Sequence, residues 1–294
     1  MIDLRASDRT VLAAFAIFVS QVSNATGAAW SKSLFSTLGP EGVVALRLAF
    51  SALLLVVLTR AWRLRVRREQ VGNLVGYGLC LGLMNSVAYQ AYARVPIGIA
   101  MAIEVTGPLA LVILNSRRAS DFAWLGCTVM GLALLLFPSS GIPALDVVGL
   151  CFAFGSATCW AGYIVFGKRV SGLGSGSLGG GSVVAIALAG VSLFTFPLGV
   201  ISAGAVLFSP QSLALGFGVA ILSSAFPFFL QMQALRQLSP KIFGFIASGV
   251  PAVGAAMSFI VLGEQLAARQ WLGIFCVVVS AAGCTLAAAK AARA

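Results

Sequence analysis

The sequence predicts an all-α membrane protein: ten transmembrane helices arranged as two inverted five-helix repeats. Three observations predict it. The chain of 294 residues is 60% hydrophobic and only 9% charged, with a mean hydropathy of +1.01; that is more apolar surface than a soluble chain can hide by folding on itself. Its charges gather at the joints between continuous apolar runs of about 20 residues, the length that crosses the hydrocarbon core. Features of the first half also return in the second.

The runs follow in order. Thr10 to Trp30 comes after Arg5 and Arg9, like the basic start of a signal peptide, but it continues past the apolar stretch of about 7 to 15 residues that such a peptide has, so it reads as a retained helix. Gly42 to Thr59 stops at Arg60, Arg63, Arg65, Arg67 and Arg68. Val71 to Tyr92 and Ile97 to Leu114 are parted by Arg94 and Pro96. Phe122 to Pro138 follows Arg117 and Arg118, and Val147 to Gly167 closes on Lys168 and Arg169. A Ser-Gly-rich connector leads to Gly181 to Ile201, then Leu213 to Gln233, Ile242 to Leu262 and Gln270 to Lys290. The runs are continuously apolar, whereas barrel strands alternate over about ten residues.

Charge sets the orientation. With the amino terminus inside, the inner joints hold Arg5, Arg9, Arg60, Arg63, Arg65, Arg67, Arg68, Arg117, Arg118, Lys168, Arg169, Arg236, Lys241, Lys290 and Arg293, against Lys32, Arg94 and Arg269 outside. The positive-inside rule then places both termini in the cytoplasm. Trp62 and Trp124 mark the inner boundary and Trp271 the outer one, as interfacial anchors do. The net charge of +11 and pI near 10.1 face anionic lipid, not nucleic acid. No transit signal precedes the first run, so a bacterial inner membrane is the simplest address.

The repeat is carried by Gln90-Ala91-Tyr92-Ala93-Arg94-Val95-Pro96 and Gln233-Ala234-Leu235-Arg236-Gln237-Leu238-Ser239-Pro240. Each leads into a run with an internal proline, Pro108 or Pro251, and then to Trp-Leu-Gly, at Trp124 and Trp271. The halves are 1–145 and 146–294. Five is odd, so the copies enter the membrane from opposite sides. Inverted repeats are a recurring design of secondary transporters, with the site near the midplane; the alternative is chance likeness among helices rich in Ala, Leu and Gly.

Several motifs carry a resemblance. Ser31-Lys32-Ser33-Leu34-Phe35, Ala45-Leu46-Arg47-Leu48, Trp62-Arg63-Leu64-Arg65, Glu104-Val105-Thr106-Gly107-Pro108-Leu109, Ser116-Arg117-Arg118 and Asp121-Phe122 resemble the EamA-type branch of the drug/metabolite transporter (DMT) superfamily, the threonine/homoserine exporters above all. Aromatic amino acid exporters are near relatives. Gly263-Glu264-Gln265 is a turn common to the family. The resemblance implies the ten-helix DMT fold and alternating-access export of small neutral amino acids, threonine/homoserine-like, with a broader specificity for aromatic residues and methionine as the alternative.

Candidate site residues come from helical faces. Asn85, Tyr89 and Tyr92 share one face of the third run, and Ser156, Trp160 and Tyr163 one face of the sixth. Ser224, Pro227 and Gln231 do so on the eighth, and Ser20, Asn24 and Gly27 on the first. Such faces either enclose a polar cavity suited to a zwitterion or serve as interhelical glue. Glu104, an acid well inside a run, costs about 2.5 to 3.5 kcal/mol to insert there. It reads as a proton-coupling group, a partner for a substrate ammonium, or a structural group paired with Arg47 or with hydroxyls to lock two helices together. Arg47 is placed to snorkel to the outer boundary or to bind a carboxylate. The expected substrate-binding set is Asn24, Asn85, Tyr89, Glu104, Trp160, Tyr163, Ser224 and Gln231. Gly107, Pro108, Pro227 and Pro251 form the gating or kink set, acting as hinges or static bends.

Other chemistries are excluded. Histidine is absent and none of the six cysteines forms a Cys-x-x-Cys pair, which argues against a metal site. Gly162 to Lys168 spells G-x-x-x-x-G-K, but Arg169 stands where a Ser or Thr is required. No cofactor, ATP or enzymatic activity is expected: an intramembrane enzyme is the alternative outside the class, disfavoured by the lack of His, of a cysteine cluster and of paired carboxylates within the runs. The partners are an amino acid, membrane lipid and, where gradients drive transport, protons.

Overall fold

Every element among the described residues of the computed structural model is helical. Those residues are 6–64, 68–114, 119–136, 145–170, 179–227, 230 and 248–291. Gln231 and the segment Gln233 to Pro240 fall outside them. The helices are α1 Ala6–Ser33, α2 Phe35–Thr59, α3 Arg68–Arg94, α4 Ile97–Glu104, α5 Thr106–Leu114 and α6 Ala119–Leu136. They continue as α7 Val147–Val170, α8 Gly179–Ala203, α9 Pro210–Ala220, α10 Val250–Leu262 and α11 Ala268–Ala291. By length and composition five helical segments are apolar enough to cross a membrane, and five shorter ones are apolar as well.

The boundaries have local causes. α2 includes a turn at 35–38 ahead of the expected Gly42; Gly39, at φ +68°, kinks the chain there and Pro40 restarts the helix behind it. Only glycine adopts that backbone without strain. α4 and α5 form one apolar segment broken at Val105. Pro108 has no N–H to donate to the Glu104 carbonyl four residues back, so α4 ends there. α9 passes into a π-helical turn at Ile221–Ala225. Pro251 sits in the first turn of α10, where a missing N–H goes unneeded.

The bundle pairs helices across the chain: α2 with α8, α3 with α7, α6 with α11, and α10 with both α1 and α4. Close approach depends on small residues. A Cβ on Gly131 would stand 2.8 Å from the Gly273 carbonyl oxygen, and one on Gly273 2.8 Å from that of Gly131. One turn along, Thr128 and Ser280 are joined at 2.6 Å. The periphery is apolar: Leu193, Phe194 and Ile201 are 74%, 70% and 81% exposed, a surface that suits lipid and not water.

Candidate functional site

Two of the cavities bounded by the described residues meet at one junction. The first, about 150 Å³, is walled by Asn24 and Ala28 of α1, Arg47 of α2, Met84, Asn85, Tyr89 and Tyr92 of α3, Met101 and Glu104 of α4, Trp160 of α7 and Val250 of α10. The second, about 170 Å³, shares Asn24, Arg47, Met84 and Asn85 and adds Leu48, Leu55, Leu81, Tyr163, Val184, Leu188, Ser223, Ser224 and Pro227. The shared residues form the junction between them.

Arg47 stands at that junction and does not run out to the boundary. Its Nη1 donates to Asn85 Oδ1 at 2.9 Å, and its Nη2 to the Ser223 carbonyl at 3.4 Å. The guanidinium lies 5.1 Å from the Tyr89 ring centroid, within cation–π range. Asn85 is fixed in turn by donating to the Leu81 carbonyl at 2.7 Å.

The carbonyl that Arg47 reaches is free for a reason written in the sequence. Pro227 supplies no N–H, so in α register it leaves the Ser223 carbonyl unpaired, and in the π register just before it, that of Leu222. Arg47 takes the first and Ser23 Oγ the second, at 2.6 Å. Gly27 lets α1 lie close against this turn: a Cβ there would meet Ser223 Cβ at 2.7 Å.

Glu104 ends α4, 7% exposed. Its Oε2 accepts from the Tyr92 hydroxyl at 3.1 Å. Its Oε1 is buried without a hydrogen bond among the described residues, and so is Arg47 Nε. No salt bridge joins Arg47 to Glu104; the structural pairing the acid makes is with hydroxyls, that of Tyr92 and that of Ser156 on α7. Two opposite charges, both partly unsatisfied, face one cavity.

One end of the bundle is pinned. Lys32 of α1 donates to Glu264 Oε1 at 2.6 Å and to the Val95 carbonyl at 3.1 Å. Glu264 Oε2 accepts the Ile97 N–H at 3.0 Å, capping α4, whose N-cap Pro96 has no side-chain cap of its own. Beneath this pin Ser31 Oγ meets the Tyr89 hydroxyl at 3.0 Å. The family-type turn at Gly263-Glu264-Gln265 thus closes the bundle end. Replacing Glu264 with alanine removes a cap and an ion pair together, which should cost about 1–3 kcal/mol and lower the melting midpoint in detergent by several degrees. A shift within one degree would contradict that role.

Of the residues read from the sequence, Asn24, Asn85, Tyr89, Glu104 and Trp160 meet in the first chamber. Tyr163 and Ser224 line the second, with Pro227. Gln231 lies outside the described residues. Gly107 and Pro108 flank the break after Glu104, and Pro251 opens α10. Sequence reasoning missed Ser223, because a π turn shifts the helical phase by a residue; Pro227, four positions on, was the available signal.

Comparison with known proteins places these features in context. The model of a family described as the EamA-like transporter family matches residues 147–286. The threonine/homoserine exporter RhtA of Escherichia coli K12 is 39% identical over 274 residues, 93% of this chain and 91% of that protein. RhtA of Salmonella typhimurium LT2 is 39% identical over 270 residues, 92% of this chain and 90% of its own. A solved crystal structure superposes with a TM-score of 0.64 over 97% of this chain and 98% of that one, at 16% identity, a likeness of fold alone.

Proposed function

The chain belongs to the EamA-like transporter family, and from that premise we propose that it exports small neutral α-amino acids, threonine and homoserine among them, by alternating access. One observation carries the reading: Arg47 and Glu104 face one interior cavity, unpaired with each other, each with an unsatisfied atom. A buried charge without a partner is costly. A zwitterion relieves both at once, its carboxylate on Arg47 and its ammonium on Glu104. A ligand with one charge relieves one.

Alternating access is commonly built from two like halves that rock around the site. Residues 1–145 and 146–294 are those halves, inverted five-helix repeats within a ten-helix fold. The packing supports this division. Take α4 and α5 as the fourth span and α9 with its π turn as the eighth. Shifting each span by five then returns the pairs α2–α8, α4–α10 and α6–α11 to themselves. The same shift exchanges α1–α10 with the packing of α4 and α5 on α7, and α3–α7 with α1 on the π turn.

With the basic joints inside, both termini are cytoplasmic, the membrane is the bacterial inner one, and the Lys32–Glu264 pin closes the outer face. Gly107, Pro108, Pro227 and Pro251 mark the bends about which the halves move. No nucleotide motif is present to power transport, so the gradient of the substrate or of protons drives it.

The test is efflux of labelled threonine from proteoliposomes with and without an imposed pH gradient. Time-dependent efflux above protein-free vesicles is expected. No flux in either condition would refute the exporter; flux indifferent to the gradient would refute proton coupling alone.

A further inference from the structure

The second chamber has no role in a two-charge clamp, yet it is the larger of the two and opens onto the junction where Arg47 stands. Its own walls are the aliphatic side chains of Leu48, Leu55, Leu81, Val184 and Leu188, with Pro227, Tyr163, Ser223 and Ser224 completing the lining. Among the described residues Arg47 is the one charged side chain lining it, and that group is shared with the first chamber. Ser223, at the junction side, already donates to the Val219 carbonyl at 2.7 Å. An aliphatic ligand group finds apolar contact along the side formed by Leu48, Leu55, Leu81, Val184 and Leu188, away from the polar side formed by Asn85, Ser223 and Ser224. About 170 Å³ far exceeds the roughly 10–15 Å³ that a single water needs.

We propose that the second chamber is a side-chain subsite: with the carboxylate of an α-amino acid on Arg47 and its ammonium on Glu104, a branched aliphatic side chain of leucine's size enters between Leu81, Val184 and Leu188. The geometry that permits this is the position of Arg47. Because its guanidinium lines both chambers, a carboxylate anchored there places the neighbouring α-carbon at the junction. The ammonium then reaches into the polar chamber and the side chain into the aliphatic one. Val184 and Leu188, one helical turn apart on α8, become specificity-determining residues, and aliphatic α-amino acids join the hydroxylated ones as cargo. This rests on the exporter reading for the anchoring of the two charges.

Two measurements on the full-length protein test it. Direct calorimetric binding in detergent compares leucine with alanine, which shares both charges and leaves the chamber unfilled. Each methylene placed in such a pocket is worth about tenfold or more, so leucine should bind at least about tenfold more tightly than alanine. Val184→Phe, which puts a ring into the chamber, should erase that preference, and Val184→Ala should keep it. Equal binding of leucine and alanine to the wild type overturns the subsite, and so does a preference that survives in Val184→Phe. Threonine efflux from proteoliposomes is read in parallel: leucine preference without any efflux would refute the exporter and leave the subsite standing, whereas efflux without leucine preference would do the reverse.

Discussion

Glu104→Gln should leave a folded protein that barely binds its cargo. Glutamine keeps the shape, and its amide oxygen still accepts from Tyr92, so the melting midpoint should hold. What is lost is the anion facing the cavity. Truncating one member of a desolvated charge pair costs about 2–5 kcal/mol, upward of roughly 30-fold in affinity. The decisive comparison is a cycle with ligand analogues. Against the wild type, threonine should bind far better than the analogue in which hydrogen replaces the ammonium; against Glu104→Gln the two should bind alike. Arg47→Gln should do the same for the analogue without a carboxylate. Lysine at 47 will not substitute fully, since the guanidinium fork bonds Asn85 and Ser223 simultaneously. If Glu104→Gln discriminates between the ligand pair as strongly as the wild type does, the ammonium is bound elsewhere.

That the site could be sketched from sequence follows from how helices display residues. Asn85, Tyr89 and Tyr92 recur at helical spacing in a run otherwise apolar, and a polar stripe of that kind has to face other protein or a cavity. The same reasoning reached Trp160 and Tyr163. For Arg47 it left two directions open, outward to the boundary or inward to a carboxylate, because a long side chain six residues into a span can extend either way; the choice is made by Asn85 and by a carbonyl 176 residues distant in sequence. Lys32 and Glu264, 232 residues apart, leave no local trace of each other. The break after Glu104 was legible only as a weakness near Pro108. The chain yields where the missing N–H is felt, four residues before the ring.

Gly107→Ala should damage the protein more than any other single methyl group added along these helices. The added Cβ would overlap the carbonyl oxygen of Ala157 and come within 2.7 Å of its carbon. These are backbone atoms of α7, which cannot rotate aside as a side-chain tip does. Overpacking of this kind costs typically about 1–3 kcal/mol, with rigid neighbours at or above the upper figure, and the melting midpoint in detergent should fall by several degrees. The strain has two outlets. Either α5 lifts from α7, or the break at Val105 moves and carries Glu104 with it; in both cases threonine efflux should fall along with stability. Gly126→Ala and Gly72→Ala are the controls, because a Cβ at either meets nothing within 4 Å and alanine is the better helix former by about 1 kcal/mol. Their melts should rise or hold. A Gly107→Ala protein as stable as these controls would mean that α5 and α7 are not in contact at this point, and the wall of the first chamber that holds Glu104 beside Trp160 would have to be drawn differently.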